Sequence, residues 1–287
     1  MKAAAFEYHA PRTLNEATEL LARYAGDDAR ILAGGQSLVP AMAFRVATPH
    51  HLIDINNIGE LDRLAVDDAH LVVRACVRHK AFERPRDNGP LGRLLARVAR
   101  EIAHYPIRTR GTMCGSLAHA DPASEWCLVA ATLDAELTAV SQRGSRVIRS
   151  VDWFQGLMTT ALEPDELLSQ VRFPLLREGA LFGFQEFSRR AGDFALAMAL
   201  VTFRLESGVI ADPRVGLGGV EATPRRLPEV ERSLAGRPPT AEAYAHAAAS
   251  AASALNPLAD PRYDVEYRRE LACTMIRRAL EEATKGP

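Results

Sequence analysis

The sequence predicts an α+β protein built from two unequal parts, and three observations carry that expectation. Helical and strand patterns fall in blocks rather than in strict alternation, which favours α+β over a doubly wound sheet. A chain of 287 residues has the material for about two domains. Two glycine-rich turns, Ala33-Gly34-Gly35-Gln36-Ser37 and Gly111-Thr112-Met113-Cys114-Gly115-Ser116, each end in a hydroxyl residue. That composition suits backbone N–H groups that must approach phosphate oxygens without a Cβ in the way, and two such turns suggest a diphosphate held from two sides.

The elements follow in order. Thr13 and Glu16 have capping-box spacing, and Leu14, Ala17, Leu20, Leu21 and Tyr24 form one helix face that Gly26 stops. Arg30, Ile31 and Leu32 make a short strand running into the first glycine turn, and 51–55 and 70–74 read as strands. Leu91, Leu94, Leu95, Val98 and Ile102 recur at helical spacing and lead towards the second turn near Pro106. Beyond Asp134 the pattern is β-rich: 135–140 pairs with 146–149 around Gln142, Arg143 and Gly144, and 167–173 ends at Pro174. Further strands are expected over 182–187 and 195–205. In the last third one helix is expected from Thr223-Pro224, another from Thr240, and a long one from Asp264 with Val265, Leu271, Ala272, Met275, Ala279 and Leu280 inward. The stretch 174–179 reads as a linker. It divides a first domain over 1–176, with subdomains of about 1–56 and 57–176, from a second over 177–287.

Composition excludes several classes. Hydrophobic content of 47%, charged content of 25% and a net charge of -1 argue against disorder and against an electrostatic footprint for nucleic acid. The longest apolar stretch, 194–201, falls far short of the roughly 20 residues of a membrane span. No apolar leader follows Lys2, so a cytoplasmic location is expected. Cys76, Cys114, Cys127 and Cys273 form no C-x-x-C cluster, so no structural zinc or iron–sulfur centre is expected, and any electron transfer would use an organic cofactor or a partner's metal. His50 and His51 precede a strand with no matching carboxylate cluster and read as surface or packing residues. The run Gly216-x-Gly218-Gly219 lacks the third glycine of a dinucleotide fingerprint, Glu221 standing there instead, and no nucleotide phosphate loop ending in Gly-Lys-Ser/Thr exists.

The segments Ala33-Gly-Gly-Gln-Ser-Leu-Val-Pro40, Ile107-Arg-Thr-Arg-Gly-Thr-Met-Cys-Gly-Ser-Leu-Ala-His-Ala-Asp-Pro-Ala-Ser-Glu125 and Ser188-Arg-Arg-Ala-Gly-Asp-Phe-Ala195 closely resemble the FAD-binding medium subunits of molybdenum hydroxylases, the family of the carbon monoxide dehydrogenase medium subunit and the xanthine dehydrogenase FAD domain. The likeness covers nearly the whole chain, including Leu217-Gly-Gly-Val-Glu-Ala-Thr-Pro224. It implies a two-part FAD-binding domain of the vanillyl-alcohol-oxidase (PCMH) type followed by a smaller C-terminal α/β domain. The implied cofactor is non-covalent FAD, with [2Fe-2S] and the molybdopterin cofactor only on a small and a large partner subunit of a heterotrimer.

The resemblance also assigns residues. Ala33, Gly34, Gly35, Gln36 and Ser37, with Thr112, Met113, Cys114, Gly115 and Ser116, are expected to clasp the FAD pyrophosphate. Arg30, Ile31, Leu32 and Leu38 flank the first loop on the adenine and ribityl sides. Asp121 and Glu125 follow the second loop, Glu125 being the preferred partner of cofactor hydroxyls; Leu167 and Leu168 either lie against the flavin ring or are the leucines that any buried strand would show. Arg108 and Arg110 either balance pyrophosphate charge or anchor a neighbouring subunit. The 188–193 loop lies near the isoalloxazine or is a solvated charge cluster. The family usually shows Thr-x-Gly-Gly, and Cys114 takes the first of that glycine pair; if the position needs φ > 0 or very close approach, the cysteine costs roughly 1 kcal/mol and weakens FAD binding.

No catalytic acid, base or nucleophile is nominated. The implied activity is electron transfer from the iron–sulfur subunit through FAD to NAD, oxygen or another acceptor. Two alternatives stand beside it. One is a self-sufficient flavin oxidase or dehydrogenase, for which the C-terminal segment is short; the other is an assembly subunit that has lost FAD.

Overall fold

The computed structural model describes residues 2–67 and 69–285. The chain opens on a small βαβαβ lobe: β1 (Glu7–His9), α1 (Leu14–Tyr24), β2 (Ala29–Leu32), α2 (Leu38–Ala43) and β3 (His51–Asp54). The three strands pair in the order β1-β3-β2, all parallel, with Glu7 opposite His51 and Ile31 opposite Ile53. Thr13 caps α1 by accepting the Glu16 N–H, while the Glu16 carboxylate accepts from Arg12 N–H at 2.8 Å. Ala17 and Leu21 are buried beneath it. Strand β1 has no counterpart among the sequence expectations, because Glu-Tyr-His carries no apolar alternation.

The second lobe contains β4 (Leu64–Asp67), β5 (His70–Arg74), α3 (Pro90–Ala99), α4 (Tyr105–Arg110), α5 (Met113–His119), α6 (Glu125–Thr132), β6 (Glu136–Ser141), β7 (Gly144–Arg149), α7 (Ser150–Trp153), β8 (Phe154–Gly156), β9 (Thr159–Thr160) and β10 (Leu167–Pro174). Five of its strands form an antiparallel sheet, β4-β5-β10-β6-β7, and β8 pairs with β9. Helix α5 packs on β5 and β10. The core between sheet and helices is filled by Trp126, Trp153, Phe82 and Phe173, each nearly inaccessible to solvent. Removing such aromatic area from water is the main favourable term in folding.

The last lobe comprises β11 (Leu181–Phe187), β12 (Ala197–Glu206), β13 (Val209–Gly218), β14 (Arg225–Arg226), α8 (Pro228–Leu234), α9 (Ala241–Ala252) and α10 (Val265–Lys285). Its antiparallel sheet runs β11-β12-β13-β14, with α10 across β11 and β12. Helix α6 of the second lobe lies on β13, and a Cβ at Gly216 would collide with the Thr132 hydroxyl, so this glycine serves helix-on-sheet approach. That settles the role of the Gly216-x-Gly218-Gly219 run: Gly216 and Gly218 end a strand, and no helix opens on them.

Two expectations need correction, and one further strand has no counterpart among them. The helix assigned to Thr223-Pro224 starts instead at Pro228, after the short strand β14; proline at the first helical position is the stronger start signal. Strand β13 carries no continuous strand pattern because Asp212 and Pro213 interrupt it, and they sit where the register shifts opposite Thr202 and Arg204. The second glycine-rich segment, expected as a turn, is the start of a helix, with Thr112 as its cap. Among the described residues, no helix is long and apolar enough to cross a membrane.

Candidate functional site

Strand β2 delivers the first loop. After Leu32 the chain leaves the sheet, and Gly35 takes φ 71°, a left-handed conformation that glycine adopts without strain. Among the described residues, the amides of Gly34, Gly35, Gln36 and Ser37 donate to no acceptor in the chain, whereas the carbonyls of Gly34 and Gly35 accept from Gln36 Nε2 and Val39 N–H. Ser37 then stands at the start of α2 with no side-chain cap bond.

The second segment faces it directly. A Cβ at Gly34 would stand 2.5 Å from the Arg110 carbonyl oxygen and 2.6 Å from the Gly111 Cα, so the two segments touch main chain to main chain. Thr112 caps α5 by accepting the Gly115 N–H at 3.0 Å, which turns the segment into a helical first turn. Buried side chains fix its position. Met113 and Cys114 point into the core, and the Cys114 thiol donates to Val73 O at 3.6 Å.

Cys114 therefore occupies an ordinary helical position, with no positive φ. The expected strain at this position does not arise. Burial pushes its thiol far above the usual cysteine range, so it is a neutral packing group. What Met113 and Cys114 can offer a ligand is backbone, not side chain.

Side chains that the sequence did not single out hold the two segments together. Asn56 Nδ2 donates to the Ala33 carbonyl at 2.8 Å and is itself oriented by the Asp54 carboxylate. Arg78 donates to Asn56 Oδ1 with one terminal nitrogen and to the Arg110 carbonyl with the other. One guanidinium thus links first loop to second and leaves positive charge between them. Next to it, His79 donates its N–H to Gly111 O at 2.9 Å, while its ring Nδ1 accepts the Trp126 indole N–H at 2.9 Å. Burial, with Arg78 and Arg108 adding to it, drives His79 down to about 4, so the ring is neutral and accepts at Nδ1. Apart from the Asp54–Asn56 contact, these span 22 to 47 residues of sequence and carry no linear signal.

The remaining expected residues divide. Arg108 is tied to Glu83 at 2.8 Å and to the carbonyls of Ile102 and Ala103, so it braces the fold and is not free for phosphate; Arg110 is exposed beside Gly111. Arg30 is exposed and paired with Asp28 at 2.8 Å, while Ile31 and Ala33 pack against the core. The Leu32 side chain lies beside Gly35, and Leu38 begins α2. Past α5 the chain turns through Ala120 in the left-handed region. Asp121 Oδ1 accepts from Ala123 N–H, and Ser116, half-buried, accepts the Cys127 thiol at its carbonyl. Glu125, half-buried, opens α6; burial is the main cause that pushes its carboxyl up, with Asp121 and Glu101 adding to it. Leu167 and Leu168 are buried in β10, on which α5 packs. In the 188–193 loop, Arg190 pairs with Asp193 at 3.1 Å.

The free amides of the first loop, the helical turn that faces them and one bridging cation make a cradle for an extended anionic ligand, the class of site found in nucleotide-binding chains. The sequence model described as "FAD binding domain in molybdopterin dehydrogenase" matches residues 4–176, and that of the "CO dehydrogenase flavoprotein C-terminal domain" matches residues 182–283. The nicotine 6-hydroxylase medium subunit of Paenarthrobacter nicotinovorans is 36% identical over 283 residues, 99% of either chain. The carbon monoxide dehydrogenase medium chain of Afipia carboxidovorans is 33% identical over 278 residues, 97% of this chain and 96% of its own. Among solved structures, carbon monoxide dehydrogenase from Hydrogenophaga pseudoflava superposes with TM-score 0.94 at 34% identity, covering 99% of both chains, and quinoline 2-oxidoreductase from Pseudomonas putida 86 with 0.92, also at 34%. The chain belongs to the FAD-binding medium subunits of the molybdenum hydroxylases, a family of oxidoreductase flavoproteins.

Proposed function

We propose that this chain is the electron-transferring FAD subunit of a heterotrimeric hydroxylase, receiving electrons from a [2Fe-2S] small subunit and passing them to an external acceptor such as NAD or oxygen. A molybdopterin large subunit would oxidise the substrate. The relatives' names as medium subunits and medium chains support such an assembly. Residues 1–176, in two subdomains meeting near residue 56, form the FAD-binding domain, and 177–287 the C-terminal one.

Bound FAD supplies chemistry that joins one-electron and two-electron carriers. The chain's own residues bind and orient. The amides of Gly34, Gly35, Gln36 and Ser37 would hold the pyrophosphate from one side, and the main chain of Thr112 to Ser116 would hold it from the other. Arg78 keeps both segments in register and offsets phosphate charge. Glu125 would accept from cofactor hydroxyls, and Leu168 would close the apolar side of the ring system and keep water out. The observation that carries this reading is the main-chain contact of Gly34 with Arg110 and Gly111 beside unpaired amides. The assembly-subunit alternative loses its ground with Cys114 in a relaxed helical turn.

The test is flavin content. The purified chain is expected to carry about one FAD, released on heating. Gly34→Ala, which forces the Arg110 carbonyl aside, should weaken FAD binding at least tenfold, about 1.4 kcal/mol, with an unchanged far-ultraviolet circular dichroism spectrum. A colourless wild-type chain that FAD cannot reconstitute, or a Gly34→Ala protein that holds FAD as tightly as wild type, would overturn the reading.

A further inference from the structure

The parallel lobe brings together a group of side chains that FAD binding does not use. Glu7 and His9 are two residues apart on β1 and so share a face, and the register of β1 with β3 puts His51 on that same face. His9 Nε2 lies 3.1 Å from His51 Nδ1; the Glu7 carboxylate oxygen lies 3.6 Å from His51 Nδ1 and 4.0 Å from His9 Nε2. The absence of a matching carboxylate expected around His51 is thus corrected: Glu7 and Asp27 reach it from elsewhere in the chain.

We propose that Glu7, His9 and His51 form a zinc-type site for one divalent cation that staples β1 to β3. Zinc bonds to nitrogen and oxygen measure about 2.0–2.2 Å, so ligand atoms on a tetrahedral ion stand about 3.4 Å apart. The three separations bracket that value, and each residue offers one suitable atom. A hydrogen-bond account covers less. An N–H···N bond between the two rings satisfies one pair and leaves the Glu7 carboxylate beyond hydrogen-bond reach of both.

The surroundings fit an ion as well. Asp27 Oδ2 lies 3.2 Å from His51 Nε2, which holds the proton on that nitrogen and aims the Nδ1 lone pair at the cluster. This is the carboxylate–histidine support that metal-binding imidazoles ordinarily have. Tyr24, at the end of α1, stacks on His51 with ring centroids 3.8 Å apart and on His9 at 5.1 Å, so both rings are held before any ion arrives. Glu7 and Asp27 together match a doubly charged cation. His51 is buried while Glu7 is 70% exposed, so an ion can enter from the Glu7 side and keep a water as fourth ligand. Strand β1 is only three residues long and lies at the edge of this sheet, and the ion adds a tie to its ladder with β3 and to the Tyr8 hydroxyl bond on Asp54.

The experiment uses the whole flavin-containing chain, stripped with a chelator and titrated with ZnCl2, then with CoCl2 as a spectroscopic probe. One equivalent of zinc is expected, with intense tetrahedral cobalt bands. Affinity should fall at least tenfold in His9→Gln and in Glu7→Gln, and ten- to a hundredfold in Asp27→Asn. It should be unchanged in His246→Ala, an exposed position on α9. Zinc should also raise the melting temperature of wild type and not of Glu7→Gln, whose exposed, isosteric change leaves folding intact. Wild-type affinity equal to that of His9→Gln, or zinc-independent melting of wild type, would reduce the cluster to a hydrogen-bonded histidine pair and overturn the proposal.

Discussion

Glu186, on β11, is a carboxylate in a place that does not suit one. Its Oε2 is buried with no partner among the described residues. Burial first, then the charges of Glu125 and Glu101, push its pKa from 4.5 up to about 9, with Arg97 opposing. Between those two values the folded protein keeps a proton that the unfolded chain releases, so stability falls as pH rises across that window. Glu186→Gln removes the titration and keeps the shape. Urea denaturation at about pH 5.5 and pH 8.5 should show wild type losing at least roughly 1.4 kcal/mol relative to the variant, the equivalent of one pKa unit; parallel stabilities at the two pH values would refute it. Cys114 teaches a related lesson. A residue that departs from a family pattern looks strained until its φ and its neighbours are known, and here the neighbours are core side chains and the Val73 carbonyl.

At the scale of elements, α5 is where local chemistry and the site meet. It is only seven residues long, too short to be stable by propensity, so it depends on its cap and on packing against β5 and β10. The Thr112 hydroxyl accepts the Gly115 amide and is almost wholly buried, 2% exposed. Thr112→Ala should cost about 1 kcal/mol by urea midpoint, and Thr112→Ser should recover most of it. Equal stability of the alanine and serine variants would mean that packing alone holds this turn. The Thr13 and Thr240 caps, by contrast, sit on longer helices, α1 and α9, whose starts their sequences announce.

For the whole molecule, the question is what keeps the last lobe seated on the rest. Arg97 of α3 reaches Glu282 of α10 at 2.9 Å and the Phe184 carbonyl at 3.0 Å, while Glu282 also accepts from Phe184 N–H and Gln185 Nε2. Both partners are about three-quarters buried, and Arg97 is also paired with Glu101 at 2.6 Å, so losing Glu282 costs the tie between the lobes and leaves the Phe184 N–H and the Gln185 amide without their acceptor. A second tie joins Arg226 of β14 to Asp134 at 2.7 Å beside α6. Glu282→Ala should lower stability by about 1–3 kcal/mol and separate the melting of the C-terminal lobe from the rest in calorimetry. A single, unshifted transition would show that the α6–β13 packing suffices.

What the sequence determined by itself was local: the caps at Thr13 and Thr240, the hairpin of β6 and β7, the strand stopped by Pro174, and two glycine segments set apart from the rest. Each of these is written in residues within a few positions of one another, where propensity, capping and turn chemistry act. The family likeness rested on the same short segments. Only the tertiary structure decided that Gly34 meets Arg110 and Gly111, that Asn56 and Arg78 bridge the two segments, that His79 serves Trp126, and that Glu7, His9 and His51 converge. Those meetings are fixed by strand register and by the packing of buried side chains, which bring distant residues to one point and leave no periodic trace along the chain.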